Sequence, residues 1–495
     1  MAAPQPCRYS EPSAPRRADL RFPTHAPKRR NALCASSSIL MQLPLVSWLS
    51  TDDILAWRDG HAVKVRDFLL DVQSLANRLP ASGHVLNVCK DRYRFLVGFA
   101  ASVTAGKISL LPSTRTPESI RQLRNLAPDA FCLSDHDDGI QLPRVAYADR
   151  DVGCEATAMA NMPHIEADRV VAHVFTSGST AAPVPHPKTW GSLAECVQAG
   201  ALRLGLRDGR AHALVGTVPP QHMYGFESTA LIALHGCVAM SAEQPFYPAD
   251  VAAALTRIRA PRMLVTSPVH LRALLAAHVH IPPLSLVLSA TAPLPRDLAQ
   301  EAEGRLNAPL VEIYGSTETG QIATRRTART DIWELFPGVR LEPEPHSHIR
   351  VTGGHLAQAQ VLHDVIEIVD DRRFLLHGRG ADMINIAGKR SSLAHLNHQL
   401  TSISGVQDGA FFMPDAGAGG SVARLMAFVV APAIDPALVR DALRERLDPA
   451  FMPRPLVFVD TLPRNATGKL PRAALSALAT GASARHLIDD DNHAD

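Results

Sequence analysis

Long apolar runs are absent from this 495-residue sequence. No stretch approaches the roughly 18 to 20 residues that a bilayer-spanning helix needs, and the start carries no apolar core of a secretory signal. A membrane span is therefore not expected. Paired cysteines are absent as well: Cys7, Cys34, Cys89, Cys132, Cys154, Cys196 and Cys237 are scattered, with no C-x-x-C and no matching histidine spacing. Sequence signs of a zinc site or a disulfide framework are thus missing, and a reducing cytoplasm is the simplest location. No G-x-S-x-G segment occurs, which removes the nucleophile elbow of an α/β hydrolase. Charge of one sign is not in excess either. The 50 Lys and Arg against 48 Asp and Glu leave +2, so nothing global calls for nucleic acid or an anionic membrane as partner.

What is present is ordinary globular material, 46% hydrophobic and 20% charged, in a chain too long for one core. Two or more domains are expected. Residues 1–40 mix Pro, Ala, Ser and Arg without periodicity and carry seven basic residues against two acidic ones. They read as a disordered arm, which is either an Arg-rich targeting segment or sequence upstream of a true start at Met41. The end, residues 481–495, turns acidic from Asp489 to Asp495 and reads as a solvated tail.

From residue 41 onward, β-rich runs alternate with Ala/Leu-rich helical stretches, the order expected of α/β layers with buried strands. His84–Cys89 reads as a strand, 95–105 as a helix and 109–112 as a strand. Thr116 before Pro117 then starts a helix to Leu126. The alternation recurs through 170–175, 196–204, 212–218, 252–258, 263–266 and 284–289. Near residue 380 the texture changes: Gly378-Arg379-Gly380 interrupts an apolar run. The remainder reads as a compact α+β unit, with strands at 409–413, 425–430 and 456–459 and helices at 393–401 and 436–447.

Three segments carry chemistry. In Val174-Phe175-Thr176-Ser177-Gly178-Ser179-Thr180 a buried strand ends in small hydroxyl residues around a glycine. Such a loop lets backbone N–H groups and hydroxyls close on phosphate oxygens, although a polar turn after a strand has the same composition. In Val311-Glu312-Ile313-Tyr314-Gly315-Ser316-Thr317-Glu318, Tyr314 could stack on a purine and Thr317 could bond a phosphate oxygen. Glu318 could hold Mg²⁺, since hard cations on nucleotide phosphates take one or two carboxylates. The alternative there is a strand end with a solvated Glu. The third segment is Pro463-Arg464-Asn465-Ala466-Thr467-Gly468-Lys469.

Taken in this order, the three segments resemble the adenylate-forming superfamily of acyl-CoA synthetases, peptide-synthetase adenylation domains and luciferases. Thr176, Ser177, Gly178, Ser179 and Thr180 stand at its phosphate loop, Tyr314 to Glu318 at its Y-G-x-T-E motif, and Gly468-Lys469 at its C-terminal G-K. Asp364 precedes Arg379 by fifteen residues, the family spacing for the pair that holds the ribose hydroxyls. The likeness runs from about residue 41 to 478.

The resemblance implies an α/β fold with a large N-terminal domain of stacked α/β subdomains (41–378), a hinge (379–382) and a small mobile α+β C-terminal domain (383–480). It implies ATP and Mg²⁺, a small carboxylic acid joined to AMP, and transfer of the acyl group to coenzyme A or a phosphopantetheinyl carrier protein. The residues it points to are Lys469, Thr317, Glu318 and His222 for catalysis, with Glu318 on the metal. For the nucleotide they are the phosphate loop, Ala290, Thr291, Tyr314, Gly315, Ser316, Asp364 and Arg379, and for the thiol's tunnel Gly388 and Lys389. His222 lies in Gln221-His222-Met223-Tyr224-Gly225-Phe226, which matches the family's H-x-x-G segment. There Tyr224 or Phe226 could line a slot for an aryl or short acyl body, Phe226 being the better candidate for plain core.

Departures are present. Ala181 replaces the usual Gly after the phosphate loop, and Val184 replaces the usual Lys, with Lys188 four positions later. Ala290-Thr291-Ala292-Pro293 replaces a Gly-rich segment, Ala381 is unusual for the hinge, and His395 and Asn397 replace acidic residues. None removes Lys469, Glu318, Asp364 or Arg379. A non-catalytic nucleotide-binding or scaffold relative of the same fold is the competing expectation.

Overall fold

The computed structural model describes residues 41–112, 115–150, 162–177, 183–345, 348–379, 383–386, 389–414, 424–465 and 468–490. The arm at 1–40 and residues 380–382 of the expected hinge lie outside them.

Local signals set several helix starts. The Thr116 side chain accepts from the Ser119 amide at the head of Pro117–Leu126, and the predicted span is met at both ends. The second helix begins at Arg92, ahead of the expected residue 95, because Asp91 caps it by accepting from the Arg94 amide. Thr189 does the same for Trp190–Arg203. Arg92–Thr104 is apolar on nearly every face, and residues 92–93 and 95–103 are all buried, as befits a helix sandwiched between layers.

Two large sheets make the N-terminal domain. Among the described residues, one has six strands in the spatial order Pro183–Thr189, Val170–Ser177, Ile108–Leu111, His84–Asn87, Phe131–Ser134 and Arg144–Ala146. All its pairings are parallel except that of the first two strands, which form an antiparallel hairpin. The other has eleven strands. Its parallel centre runs Ile54–Arg58, Ala239–Ser241, Ala213–Gly216, Arg262–Thr266, Leu286–Ser289 and Leu310–Ser316. Beyond Leu310–Ser316 it continues antiparallel through Gly320–Arg325, Ile332–Leu335, Arg373–Arg379 and Asp364–Asp370.

The main core lies between the two sheets, where Phe95, Phe99, Trp190, Phe226 and Leu288 are all buried. The segments with candidate chemistry follow the carboxyl ends of the strands 170–177, 213–216, 286–289 and 310–316. In open α/β sheets ligands bind at that edge.

The small C-terminal domain is built on Asp408–Phe412, Met426–Val430 and Leu456–Phe458, with the last pair parallel. Helices Leu393–Thr401 and Pro436–Arg446 cover one face through Leu396, Leu400, Val439 and Leu443. Helix Arg472–Asp490 covers the other through Leu475 and Ala479, and it runs on into the segment expected to be an acidic tail. Phe428, with no exposed surface, sits at the centre of the sheet. Phe428→Ala should cost about 3–5 kcal/mol, seen as an earlier unfolding transition of this domain in thermal scans.

Candidate functional site

The carboxylate of Glu318 is presented by a turn that only small residues can close. Strand Leu310–Ser316 folds back on Gly320–Arg325. At Gly315 a Cβ would lie 2.1 Å from the Gly320 carbonyl oxygen, so glycine is required. Ser316 and Thr319 lock the turn: the Ser316 amide donates to the Thr319 hydroxyl at 3.0 Å and the Thr319 amide donates to Ser316 Oγ at 3.2 Å. Thr317 stands half-buried in the same turn.

Lys188 Nζ donates to the Glu318 carbonyl at 2.9 Å, while His186 Nε2 lies 3.5 Å from Glu318 Oε1. Burial opposes ionisation of Glu318, but the Ser316 hydroxyl and the charges of His186 and Lys188 outweigh it and hold the carboxyl below its ordinary range. A hard, ionised oxygen donor beside a phosphate-loop hairpin fits Mg²⁺. Among the described residues no three His, Cys, Asp or Glu side chains cluster as a metal site. A metal held here by Glu318 would take the rest of its shell from nucleotide oxygens and water.

The hairpin expected to carry the phosphate loop pairs Thr176 with Val184 and Ser177 with Pro183. Gly178, Ser179 and Thr180 lie outside the described residues, as does Ala181. On the returning strand, positions 184, 186 and 188 share a face by the two-residue period. Val184, where the family carries lysine, is 44% exposed, whereas Lys188 is only 7% exposed and lies under the Glu318 turn.

Beside this turn, Tyr314 donates its hydroxyl to Asp364 Oδ2 at 2.7 Å. Its ring packs against Trp333 and Phe374 with centroids at 5.5 and 5.6 Å. Asp364 and Arg379 are direct cross-strand partners, so the fifteen-residue spacing read from the sequence becomes one hairpin. The segment 290–294 runs alongside. Ala290 is buried, and Thr291 adopts φ +83°, uncommon for a β-branched residue and of the kind that collects at ligand sites. The segment is pinned by buried Glu312, which accepts from the Leu294 amide and pairs with Arg325 at 2.8 Å.

The Lys469 segment is a tight loop tied to the small domain. Arg464 pairs with Asp408 through two contacts of 2.7 and 2.8 Å and donates to the Gly468 carbonyl at 2.9 Å. Asn465 Oδ1 accepts from the Lys469 amide at 2.9 Å. Gly468 has φ +77°, and a Cβ there would meet Val269 at 3.1 Å and Ser267 Oγ at 3.6 Å. The loop therefore seats against the start of helix Pro268–Ala276 of the large domain. Ala466 and Thr467 lie outside the described residues, as does Gly388; Lys389 begins a short strand paired with Ile386.

The charge of Lys469 reaches His222. Burial, then the charge of Lys469, then that of Arg115 push the His222 ring down to about 4, so it is neutral near pH 7. His222 lines a cavity of about 670 Å³ together with Asn87, Cys89, Lys90, Asp91, Arg115 and Gln221. Gly225, where a Cβ would lie 2.0 Å from the Pro219 carbonyl oxygen, closes the His222 turn. Arg92 braces it from below: the guanidinium donates to the Gly216 carbonyl at 2.8 Å, the Val218 carbonyl at 3.1 Å and the Thr229 hydroxyl at 2.6 Å. Tyr224 and Phe226 do not line this cavity. The Tyr224 hydroxyl donates to the Leu288 carbonyl, and Phe226 is fully buried against Phe95 and Phe99.

The residues that sequence reasoning passed over are Arg92, His186 and Arg115, and Arg464 was read only as part of its segment. Their signal was weak. Arg92 heads an otherwise apolar helix, and a charge there is informative only if it turns inward.

Comparison with known proteins bears on the whole arrangement. A profile of the family described as "AMP-binding enzyme" matches residues 56–361. The 4-coumarate--CoA ligase of Rhodobacter capsulatus is 30% identical over 298 residues, 59% of this chain and 73% of that protein. That of Halorhodospira halophila is 32% identical over 313 residues, covering 60% and 73%. Among solved structures, the anthranilate CoA ligase AuaEII in complex with anthranoyl-AMP superposes with a TM-score of 0.75 at 16% identity, over 89% of this chain and 99% of that one.

Two outcomes follow from the buried charges. Arg325→Met leaves Glu312 buried without its cation and should cost about 3–5 kcal/mol in urea unfolding. His222, His235 and His355 are pushed by burial to about 4, 3 and 4 from 6.5. Between about pH 6.5 and 4 the unfolded chain binds protons that these rings refuse when folded, so stability should fall as the pH falls through that window, by at most about 3 kcal/mol for a ring moved from 6.5 to 4. Urea midpoints at pH 7.5 and pH 5 measure this, and His355→Gln should reduce the difference.

Proposed function

Because the chain belongs to the AMP-binding enzyme family of the adenylate-forming superfamily, we propose that it is an ATP-dependent acid–thiol ligase. It joins a small carboxylic acid to AMP with release of pyrophosphate, then transfers the acyl group to the thiol of coenzyme A or an acyl carrier protein. The observation that carries this reading is the seating of the Gly468–Lys469 loop against the large domain, with the Lys469 charge felt at His222.

In the first half-reaction a carboxylate oxygen bonds to the α-phosphorus while the bond to the pyrophosphate oxygen breaks. Lys469 neutralises the negative charge that gathers on both partners. Thr317 and the loop Thr176–Thr180 hold phosphate oxygens, and Glu318 would hold Mg²⁺, which when bound would supply positive charge to the pyrophosphate oxygens. Asp364 and Arg379 take the ribose. Tyr314, Gly315, Ser316, Ala290 and Thr291 form the side of the cleft for the purine.

In the second half-reaction the thiol sulfur bonds to the acyl carbon and AMP leaves. The hinge at 379–382 turns the small domain so that Gly388 and Lys389 border the thiol's path while Lys469 withdraws. The cavity that reaches His222 has a volume of about 670 Å³, and Lys90 and Arg115 on its wall suit a phosphate of the thiol carrier. Neutral His222 can accept a hydrogen bond at the reacting end. Aryl acids are favoured as substrates, in keeping with the 4-coumarate ligases among the relatives. A cytoplasmic location agrees with unpaired thiols at Cys89, Cys132, Cys196 and Cys237.

Lys469→Ala should lower acid-dependent pyrophosphate exchange by about 10² to 10³-fold with ATP binding retained. Aryl acids are the first panel, assayed with coenzyme A and then with a carrier protein. A wild-type chain that binds ATP yet exchanges pyrophosphate with no acid would make it a scaffold instead.

A further inference from the structure

Beneath the Glu318 turn lies a buried polar cluster that the chemistry above does not use. It draws on four separate segments: Lys188 on the returning strand of the phosphate-loop hairpin, Cys196 on helix Trp190–Arg203, Glu227 in the π-helical stretch Phe226–Leu231, and His355 after strand Ile349–Gly353. They converge on Gly320. With φ +69°, Gly320 leaves room where a Cβ would lie 2.6 Å from Glu227 Oε1, 3.3 Å from Cys196 Sγ and 3.5 Å from His355 Nε2. Lys188, Glu227 and His355 are 7%, 2% and 7% exposed.

The cluster grips two successive carbonyls of one turn. Lys188 Nζ donates to the Glu318 carbonyl at 2.9 Å, and His355 Nε2 lies 2.9 Å from the Thr319 carbonyl. A carbonyl only accepts, so His355 carries its proton on Nε2. Its Nδ1 then needs none, and it is buried without a partner among the described residues. Glu227 accepts from Cys196 Sγ at 3.2 Å. Burial disfavours the ammonium of Lys188 and pushes the Glu227 carboxyl up to about 7, and the charge Glu227 carries when ionised counteracts the penalty on Lys188.

Burying a lysine beside a carboxyl costs stability that an apolar pair of the same volume would not. A contact retained at that cost, aimed at the backbone of the residue that presents a carboxylate to the cleft, is the arrangement of a support for a metal ligand. We propose that Lys188 and His355 are positioning residues that fix the turn 317–319 and thereby aim Glu318. The proposal rests on the reading of Glu318 as the metal ligand. It assigns to Lys188 a task different from that of a lysine at position 184, which would point into the open.

The test reads metal dependence apart from turnover: calorimetric ATP binding by the full chain across a series of Mg²⁺ concentrations. Lys188→Met should raise the Mg²⁺ concentration needed for half of the full ATP affinity by about 10-fold or more. His355→Leu should raise it in the same direction. Lys188→Arg keeps a cation and a donor and should stay within a few-fold of wild type. Glu318→Gln separates the two ideas. If it shifts the Mg²⁺ requirement while Lys188→Met and His355→Leu leave it at the wild-type value, the positioning role is wrong. If Glu318→Gln itself leaves the requirement unchanged, the metal-ligand reading fails and the proposal with it. Should Lys188→Met not fold, His355→Leu carries the same comparison alone.

Discussion

The cleft depends on one close contact between domains. Gly468 sits against Val269 and Ser267, and its lack of a side chain is what lets the loop approach. Everything about Lys469 follows from that seat. The backbone that carries the ammonium belongs to a loop held on its own domain by Arg464, Asp408 and Asn465. Geometry, more than affinity for any one partner, decides whether the lysine is in play.

The large domain supplies the opposite quality. Its site segments are strung on the carboxyl ends of parallel strands and held from behind by buried polar and charged groups. Glu312 and Arg325 hold the segment 290–294, Arg92 holds the His222 turn, and Lys188 with His355 holds the Glu318 turn. In each case a charged side chain is spent on backbone amides or carbonyls where an apolar residue would fill the space more cheaply. The common effect is to hold loops, otherwise the least ordered parts of a fold, in one arrangement.

Much of this was readable from the chain. The helix at Pro117–Leu126 declares itself through Thr116 and Pro117, and Leu393–Thr401 through its apolar period. The parallel strands are short continuous apolar runs, which is what two-sided burial demands. The antiparallel extension beyond Ser316 was not readable: strands such as Gly320–Arg325 and Ile332–Leu335 mix polar and apolar residues, and Ile332–Leu335 takes one neighbour from Arg373–Arg379, well further along the chain. Within the site, Tyr314 to Glu318 and Gly468-Lys469 stand out because each is contiguous. The group around Gly320 does not, since its members lie on four segments and Glu227 reads as a polar break in an apolar helix although it is 2% exposed.

Arg92 deserves a last consequence for anyone who would transplant specificity. Its guanidinium joins a helix in one layer to two carbonyls and a hydroxyl in another, a forked pattern that a single ammonium cannot reproduce. The stretch from Gly216 to Gly225 is therefore not a free-standing cassette. A chimera that imports it from a relative while leaving position 92 to the host would inherit the cavity-lining Pro219, Gln221 and His222 without the brace that shapes them. The two must travel together.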